Sequence, residues 1–555
     1  MIEVSDIKVR LGRGRDEAAL LAEGHRAVSH LLGCAAADIE HVELHRVSVD
    51  ARKKADVHLI VCVRSRLRDG VDEDALVAGI SGRDAHRVRV VADDAHAWEK
   101  AQAAHRPARR PVVVGAGCAG LFCALALAEA GLEPLLIERG DDALRRTRAV
   151  ERFVRTGELD PQSNIQFGLG GAGTFSDGKL TTGTKNPAHR LILETLVAAG
   201  APREILWDAK PHVGSDILPG VVSWIVRRIR ELGGEVRFRC RMVDIERGEA
   251  GEVRAITLDE RAGEGEEDRH TEERVAVDAL VLACGHSARD VFELLHRRGF
   301  AMKRKTFAMG VRIEHLQADV DRAQYGTAAG HPALGAAPYK LVAHCEGGRS
   351  LYTFCMCPGG EVVAAASESG GVVVNGASLH ARAGRNSNSA LLVNVNPADL
   401  AGDSVLAGVE LQRRCERAAF ELGGGEYVAP AQLAGDFLSG APSTGAGRVK
   451  PTYPRGVAWG SVEGCLPDHV IQTMRAGLPG LARKLRAFAD PEAVLTGVES
   501  RSSSPVTVVR GRDCVAQGAP GLYPCGEGAG YAGGIMSAAT DGIRVANSII
   551  GTLHG

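Results

Sequence analysis

The first hundred residues combine two hydrophobic periodicities, a two-residue alternation and a helical repeat. In chain order they predict a strand at about 2–10, a helix at 16–32, strands at 39–49 and 56–66, a helix at 72–80 and a strand at 87–91. This βαββαβ order is typical of a ferredoxin-like split βαβ unit, with residues 50–54 as the polar hairpin turn between the two central strands of the pattern. We therefore predict an N-terminal α+β domain over residues 1–100.

The pattern changes after residue 92. A polar, helical stretch at 93–110 predicts a connector, and it ends directly before the apolar run PVVV at 111–114. Residues 259–274 are dense in charge and predict an exposed hairpin loop. Between about 300 and 495 strand-like runs dominate, as at 306–313, 350–355 and 362–366, which indicates an antiparallel unit.

A glycine motif follows the apolar run at 111–114. The residues are Gly115, Ala116, Gly117, Cys118, Ala119 and Gly120, and an apolar helix pattern comes next. In such a strand–turn–helix unit the first glycine permits the tight turn, the second lets a pyrophosphate approach the backbone, and the third lets the helix pack on its strand. The next strand, at 134–137, ends in Glu138, whose carboxylate could accept hydrogen bonds from a ribose. This context predicts a dinucleotide site for FAD or NAD, rather than a purely structural turn.

Two further glycine-rich segments follow along the chain. Gly168, Gly170 and Gly173 repeat the spacing without a preceding apolar strand. Near the C-terminus, a short strand at 522–524 precedes Gly526 and Glu527, and Gly533 and Gly534 introduce a helix at 535–550. A second helix N-terminus would favour negative charge on a bound cofactor.

These motifs together resemble a known family. The stretches are VVGAGCAG at 113–120, NIQFGLGGAGTFSDGKL at 164–180, ACGHSARD at 283–290, FCMCPGG at 354–360 and GEGAGYAGGIMSAATDG at 526–542. They resemble the bacterial and plastid family of uncharacterised FAD-dependent dehydrogenases, within the glutathione-reductase-like flavoprotein superfamily. The resemblance covers nearly the whole chain. It implies FAD binding and a redox function, and it supplies no substrate.

The resemblance also implies a domain division and a fold class. The fold class is α/β: a Rossmann-like FAD-binding domain of the glutathione-reductase type, an inserted α+β substrate domain and the N-terminal ferredoxin-like domain. The FAD-binding domain is expected at 108–300 and 496–555, and the inserted domain at 301–495. Anionic substrate could be held by side chains of the inserted domain: Arg312, Asn375, Arg385, Arg448 and Lys450.

The resemblance, read together with the glycine motifs, gives a set of expected cofactor contacts. Val243 is expected to meet the adenine ring through its backbone, Glu527 to hold the ribityl chain, and Gly534 and Ile535 to face the pyrimidine edge of the flavin. Lys179 could place a cation near flavin N5, and His286 could act as an acid or base, although a hydrogen-bonded loop histidine is the plainer interpretation. The full set of expected cofactor-binding residues is Gly115, Gly117, Cys118, Ala119, Gly120, Glu138, Arg139, Gly170, Gly171, Gly173, Thr174, Ser176, Val243, Gly285, Gly526, Glu527, Gly533, Gly534 and Ile535.

Composition and charge narrow the function classes. The formal net charge is −2 over 555 residues, which gives no basis for nucleic-acid binding through bulk charge. Apolar runs are shorter than the roughly 20 residues a membrane helix needs, and the N-terminus lacks a signal-peptide core, so we expect a cytoplasmic protein without membrane contact. The 13 cysteines contain no CxxC pair, and the two in Cys355-Met356-Cys357 are expected to be buried and inert. No metal-ligand motif is present.

The sequence thus predicts an FAD-dependent oxidoreductase. It would transfer a hydride or two electrons between FAD and a small organic substrate, with NAD(P)H or a protein as candidate electron donor. Two alternatives stay open: a flavin monooxygenase, and an FAD-binding assembly or RNA-associated protein with a non-redox role. Oligomeric state is not predicted.

Overall fold

The computed structural model describes residues 1–92, 103, 105, 107–263 and 269–553. The predicted connector helix at 93–110 lies largely outside these residues. The N-terminal unit is a four-stranded antiparallel sheet with the order β2-β3-β1-β4. Its elements are β1 (Ile2–Arg10), α1 (Glu17–Leu32), β2 (Ile39–Asp50), β3 (His58–Leu67), α2 (Glu73–Ala78) and β4 (Val88–Val90).

Helix α1 illustrates why these residues form this unit. The Asp16 side chain accepts a hydrogen bond from the Ala19 N–H and caps the first turn, and Gly33 ends the helix in the left-handed conformation. The buried positions recur every four residues, so that one face of the helix covers the sheet. Gly24 lies on that face, where a Cβ would approach Val63 Cγ1 to 2.5 Å.

The centre of the molecule is a five-stranded parallel sheet with the order β23-β11-β5-β6-β7. These strands are almost wholly buried, because the sheet is covered on both faces. Helices cover one face, and a three-stranded sheet with the order β10-β9-β8 and helix α7 cover the other. The elements are β5 (Val112–Val114), α3 (Cys118–Glu129), β6 (Leu135–Ile137), α4 (Ala143–Thr156), α5 (Ala188–Ala198), α6 (Leu218–Glu231), β7 (Glu235–Arg237), β8 (Cys240–Arg247), β9 (Val253–Ala262), β10 (Arg269–Ala276), β11 (Leu280–Leu282), α7 (Arg289–Arg297), β23 (Leu522–Pro524) and α12 (Ile535–Thr552).

The prediction of a loop over 259–274 is wrong for most of that stretch. β9 and β10 pair across it, and only residues 264–268 lie outside the described part. Ion pairs offset the lack of apolar residues. Arg241 of β8 pairs with Asp259 on the neighbouring strand β9 at 3.2 Å, and Glu273 of β10 pairs with Arg237 of β7, in the five-stranded sheet, at 2.6 Å.

The third unit is built on a seven-stranded sheet with the order β14-β15-β18-β13-β21-β19-β20, antiparallel except between β19 and β20. Its last strand ends at Glu499, just beyond the predicted boundary at 495. The elements are β12 (Met302–Arg304), β13 (Phe307–Leu316), α8 (Gln317–Tyr325), β14 (Val342–His344), β15 (Ser350–Cys357), β16 (Glu361–Ala364), β17 (Val374–Ala377), β18 (Asn386–Val395), α9 (Ala407–Leu422), α10 (Ala434–Ser439), β19 (Ala429–Leu433), β20 (Val457–Trp459), α11 (Asp468–Lys484), β21 (Val494–Glu499) and β22 (Val506–Val508).

Candidate functional site

The glycine turn after β5 has a different constraint at each glycine. Gly115 has φ +103°, and a Cβ there would lie 2.5 Å from the Ala283 carbonyl oxygen. A Cβ on Gly120 would lie 1.8 Å from the Gly115 carbonyl oxygen, so α3 packs directly on the turn. Gly117 differs, because the nearest heavy atom to its Cβ position is Gly171 Cα at 4.0 Å. The first and third glycines are therefore required by the protein itself, while the second leaves space in front of the N-terminus of α3.

The second glycine segment runs beside the first. The Gly170 N–H donates to the Ala116 carbonyl at 2.8 Å, and a 3₁₀ turn follows at Gly171–Phe175. A Cβ on Gly173 would lie 3.4 Å from Cys118 Sγ and 3.5 Å from Ile535 Cγ1. Gly173 is thus the point where the first residues of α3 and of α12 meet, which brings together three segments that are far apart in sequence.

Two hydroxyls of this segment are used within it. Thr174 Oγ1 donates to the Leu169 carbonyl at 3.1 Å, and Ser176 Oγ donates to the Gly173 carbonyl at 2.7 Å. Their geometry positions the turn. The sequence analysis missed the side chain that fixes the other side of the segment. Arg146 of α4 is fully buried and donates to the carbonyls of Asn164, Ile165, Leu169 and Gly171, and no local pattern in the sequence marks it.

Glu138 is buried at the end of β6 and bonds to backbone groups. Its carboxylate accepts from the N–H groups of Ala116 at 2.8 Å, Gly168 at 2.9 Å and Gly140 at 3.0 Å. A carboxylate has about four acceptor positions, so one is left for a further donor. This residue ties both glycine segments together. The neighbouring Arg139 lies over the Phe167 ring, pairs with Asp290 at 2.9 Å and lines a cavity of about 350 Å³.

The strand and loop that close this end of the site contain Val243 and Gly285. The β8–β9 register shifts between Met242 and Asp244, so Val243 is a bulge residue outside the regular pairing. Gly285 has φ +73° with open space at its Cβ position. A Cβ on Gly528 would lie 2.4 Å from the Gly285 carbonyl, so the C-terminal segment crosses the loop there.

The C-terminal segment places Glu527 beside the N-terminus of α12. The Gly526 N–H donates to Asp541 at 2.8 Å, and the Gly533 N–H donates to Ser537 Oγ at 3.0 Å. Gly534 has φ +116° with open space at its Cβ position. Burial raises the pKa of Glu527 to about 7, although Lys305 and a hydrogen bond from the Gly534 backbone act in the opposite direction.

His286 lies next to this carboxylate, with Nε2 3.9 Å from Glu527 Oε1. Burial lowers the pKa of His286 to about 3, and the cations of Arg501, Arg289 and Lys305 contribute to the same direction. The imidazole is therefore neutral at pH 7. A neutral ring cannot donate a proton as an imidazolium does, but it can donate or accept a hydrogen bond.

Lys179 lies in a cluster of charges and thiols. Its Nζ is 3.0 Å from Asp177 Oδ2 and 3.8 Å from Cys357 Sγ. Burial alone would lower the pKa of Lys179, but Cys357, Cys355 and Asp177 raise it above its ordinary value. Burial alone would raise the pKa of Asp177, but Lys179 and Arg382 hold it well below its ordinary value. Lys179 is thus a fixed cation at neutral pH.

Three of the five expected substrate-binding side chains of the third unit, those of Arg312, Asn375 and Arg448, are engaged by partners within the protein. Arg312 is fully buried and donates to Glu499, Asn388, Asn375 and the Cys355 carbonyl. Asn375 accepts one of these hydrogen bonds, so the side chains of Arg312 and Asn375 bind to each other. Arg448 pairs with Asp319 at 2.6 Å and Asp490 at 2.7 Å, Arg385 donates to the Arg448 carbonyl at 3.4 Å, and Lys450 donates to the Ala446 carbonyl at 3.5 Å. Arg385 and Lys450 are exposed and each makes one long hydrogen bond, so their expected role in binding an anionic substrate stays a prediction.

A buried ion cluster was also missed. Glu416 accepts from Arg289 at 2.7 Å and from Arg501 at 2.8 Å, and it also accepts from Ser500 Oγ at 2.6 Å. All three ionic side chains are at most 5% exposed. We call Arg289, Glu416 and Arg501 the ion triad. It joins α7, α9 and the segment that follows β21.

The described residues fit a dinucleotide with two anionic phosphates. The N-termini of α3 and α12 each leave their first N–H groups without intrahelical acceptors, and the first residue of each helix lies beside Gly173. Gly117, Gly285, Gly533 and Gly534 border open space, which lets a ligand approach the backbone. Among residues 1–92, 107–263 and 269–553, no group of three or more His, Cys, Asp or Glu side chains could hold a metal ion. Over the same part of the chain, no helix is long and apolar enough to cross a membrane.

Three family models match the chain. They are an FAD-dependent protein C-terminal domain-like model over residues 306–502, an NAD(P)-binding Rossmann-like domain over 113–153 and a domain of unknown function over 1–65. The chain is therefore an FAD-binding flavoprotein of the Rossmann-like class. It is 44% identical over 516 residues to an uncharacterized protein of Clostridium beijerinckii, covering 92% of this chain and 93% of that protein. It belongs to the same family, one of FAD-dependent oxidoreductases, which confirms the family assigned from the motifs.

Solved flavoproteins have a distant likeness to the chain. A flavin-dependent brominase is 15% identical with a TM-score of 0.36, covering 80% of this chain and 79% of its own. A glycerol-3-phosphate dehydrogenase from Bacillus halodurans, complexed with FAD, is 12% identical with a TM-score of 0.34, covering 80% and 65%.

The titration of Glu527 gives the first prediction. Apoprotein should bind FAD more tightly as pH rises through about 7, because an ionised carboxylate accepts hydrogen bonds from a ligand more strongly than a protonated one. Glu527→Gln should remove this step. The measurement is FAD fluorescence quenching from pH 5.5 to 8.5, with Glu421→Gln, at an exposed position, as the control that keeps the wild-type profile. A step that persists in Glu527→Gln would assign the titration to another group.

Proposed function

We propose that this protein transfers a hydride, or two electrons, between bound FAD and a small organic substrate, with NAD(P)H as the candidate reductant. When bound, FAD supplies a two-electron donor and acceptor. One observation carries the proposal: the N-termini of α3 and α12 converge on Gly173, and Lys179 lies in the same glycine-rich segment. The N-terminus of α3 would hold the phosphates at one end of the cofactor. Lys179 would place a fixed cation, and Glu527 an ionisable acid, toward the other end.

We further propose a role for each group of residues. Gly117 and the first N–H groups of α3 would meet the pyrophosphate, and the remaining acceptor position of Glu138 would accept from the adenosine ribose. Val243, at its bulge, would offer its backbone to the adenine ring. Glu527 would accept from the ribityl chain, and the N-terminus of α12 would face the pyrimidine edge.

The domain roles belong to the same proposal. Residues 108–300 and 496–555 would form the FAD-binding domain, and 301–495 the substrate domain. The N-terminal unit would be a ferredoxin-like domain, which the sheet order β2-β3-β1-β4 and the element order βαββαβ support. The Val47–Asp208 backbone pairing and the Arg15–Asp208 ion pair at 2.5 Å attach this unit to the FAD-binding part.

The test is the visible spectrum of the purified protein, followed by anaerobic titration with NADH and then NADPH. Flavin bands that bleach support the proposal and identify the reductant. Bands that bleach and return with a hydroxylated product under oxygen would instead assign a monooxygenase. Absence of flavin bands after incubation with FAD, or bands unchanged by any organic reductant, would contradict the proposal.

Lys179→Met gives a second prediction. The variant should keep its flavin but lose reduction rate by on the order of 10², because the cation stabilises negative charge that develops during transfer. The rate is measured by stopped-flow absorbance under anaerobic conditions. Lys185→Met, at an exposed position in the same loop, is the matched control and should match the wild type. Full rate in Lys179→Met would remove this residue from the mechanism.

A further inference from the structure

The N-terminal unit meets the FAD-binding part at residues 203–216, which we call the bridging segment. Val47 of the edge strand β2 exchanges two backbone hydrogen bonds with this segment. Its N–H donates to the Trp207 carbonyl at 2.8 Å, and its carbonyl accepts from the Ala209 N–H at 2.9 Å. The Trp207 side chain is buried in the hydrophobic core of the N-terminal unit. The bridging segment therefore extends the sheet of this unit and anchors a large ring in its core.

The next residues of the bridging segment pair with the glycine-rich segment that contains Lys179. Lys179 lies opposite His212 in this antiparallel pairing. Three backbone hydrogen bonds join the two segments at 2.9, 3.1 and 3.1 Å; the donors are the N–H groups of Leu180, Val213 and Gly214, and the acceptors are the carbonyls of Pro211, Gly178 and Asp177, in that order. These bonds fix the backbone on both sides of Lys179, so the position of its ammonium group depends on where the bridging segment lies.

A loop of the third unit, residues 378–382, is held at the same place. Two hydrogen bonds join it to the bridging segment, at 3.1 and 2.8 Å. At the end of this loop, Arg382 Nε donates to Asp177 Oδ1 at 2.9 Å, and the same carboxylate pairs with Lys179. Lys179 therefore lies where the bridging segment, the glycine-rich segment and the third unit meet.

The N-terminal unit also rests directly on the third unit. Four of its hydrophobic side chains pack against the core of that unit; they are Leu11, Val49, Ala51 and Val57. Beside them, the Lys54 ammonium donates to the Gln324 carbonyl, and a Cβ on Gly326 would lie 2.9 Å from Lys54 Cβ. The N-terminal unit thus contacts both of the units that meet at Lys179, and it forms a fixed part of the frame around this residue.

We propose that the N-terminal unit positions Lys179 through the bridging segment, with Trp207 as the main positioning residue. The inference rests on the proposed function in the role that it gives to Lys179. It assigns a task to a unit that contains none of the expected cofactor-binding residues. A displacement of about 1 Å at a reacting group can lower a rate by about 10², so a unit that does not touch the cofactor can still control its chemistry. Trp207 is placed for this task, because its ring belongs to the N-terminal core and its backbone to the bridging segment.

The first test is amide hydrogen exchange of the full-length protein as purified, measured by mass spectrometry on peptides that cover 175–182 and 210–216. Trp207→Leu removes the ring from the N-terminal core. We expect the amides of Leu180, Val213 and Gly214 to exchange at least about tenfold faster in this variant, because their hydrogen bonds open together with the bridging segment. Val88→Ala is the matched control. It removes volume from the same core at β4, the edge of the sheet opposite β2, and should leave these three amides unchanged.

Arg15→Met keeps the test decisive if Trp207→Leu unfolds the N-terminal unit. This variant removes the ion pair with Asp208 from the N-terminal side alone. It should speed exchange at the same three amides by about threefold, the effect of losing one partly exposed ion pair. Faster exchange confined to the N-terminal unit and residues 203–209 in both variants would overturn the proposal, since the attachment would then loosen without any effect at Lys179.

The second test asks whether the effect passes through Lys179. Trp207→Leu should lower the rate of flavin reduction by about tenfold while flavin occupancy keeps its wild-type value. In the Lys179→Met background the same change should alter the rate by less than about twofold, because two residues that act as a unit are not additive. Equal slowing in both backgrounds would indicate a general structural effect and overturn the positioning role. If NAD(P)H does not bleach the wild-type flavin, the proposed function fails, and the exchange experiment alone decides whether the N-terminal unit controls the Lys179 segment.

Discussion

Replacing Gly117 by valine is expected to lower FAD occupancy of the purified protein to below about a tenth of the wild-type value. From a nearly saturated wild type this requires the Kd to rise by about 80-fold or more, a loss of about 2.6 kcal/mol in binding. The second glycine of the turn borders open space in front of α3, and a branched side chain would fill the volume that a pyrophosphate needs. Occupancy is measured as the ratio of flavin to protein absorbance after reconstitution with excess FAD.

The fold itself should tolerate this change. Gly117 has φ −74°, an ordinary value for any residue, and the nearest heavy atom to its Cβ is 4.0 Å away. The flavin-free variant should therefore melt close to the flavin-free wild type. Gly220→Val is the matched control, because Gly220 also has open space at its Cβ but lies on the exposed face of α6. Unchanged flavin stoichiometry in Gly117→Val would show that the pyrophosphate binds elsewhere.

The glycine turn was predictable because the sequence itself shows the order of apolar strand, glycine turn and apolar helix. Gly115 and Gly120 are fixed by atoms of the turn, the helix and the adjacent strand, so the order of strand, turn and helix already contains the information. The ends of α1 and the start of α12 were predictable for the same reason. Asp16 and Gly33 flank α1, and Gly534 directly precedes α12. The meeting of α3 and α12 at Gly173 could not be predicted, because it joins three segments whose proximity no periodicity encodes; the resemblance implied only that these segments contact one cofactor.

Other features could not be predicted because their cause is long-range. In the sequence Arg312 has the features of a free cation, whereas in the fold it donates to four partners from four other strands. The bulge between Phe354 and Cys357 depends on how β15 pairs with β18, and no pattern within β15 alone shows it. The charge-dense stretch over 259–274 predicts a loop because charged residues are poor strand formers, whereas in the fold Asp259 pairs with Arg241 of β8 and Glu273 with Arg237 of β7.

The ion triad gives the prediction with the largest effect on stability. Glu416→Gln should lower the free energy of unfolding by about 3–5 kcal/mol, because it leaves two buried guanidinium groups with too little negative charge. Only Glu368 then remains near Arg289. The measurement is urea unfolding followed by tryptophan fluorescence and far-UV circular dichroism. Glu410→Gln, on an exposed turn of the same helix, should change the value by less than about 0.5 kcal/mol.

The pH dependence of this difference tests the electrostatic cause. Burial alone would raise the pKa of Glu416, but Arg501 and Arg289 hold it well below the ordinary value of 4.5. A carboxyl whose folded pKa is depressed contributes its full stabilisation above the unfolded pKa and loses it as pH falls toward the folded pKa. The difference between wild type and Glu416→Gln should therefore be constant from pH 6 to 8 and shrink below about pH 4.5. A difference that stays constant down to pH 3 would assign the loss to packing or hydrogen-bond geometry, since charge on the carboxylate would then make no contribution.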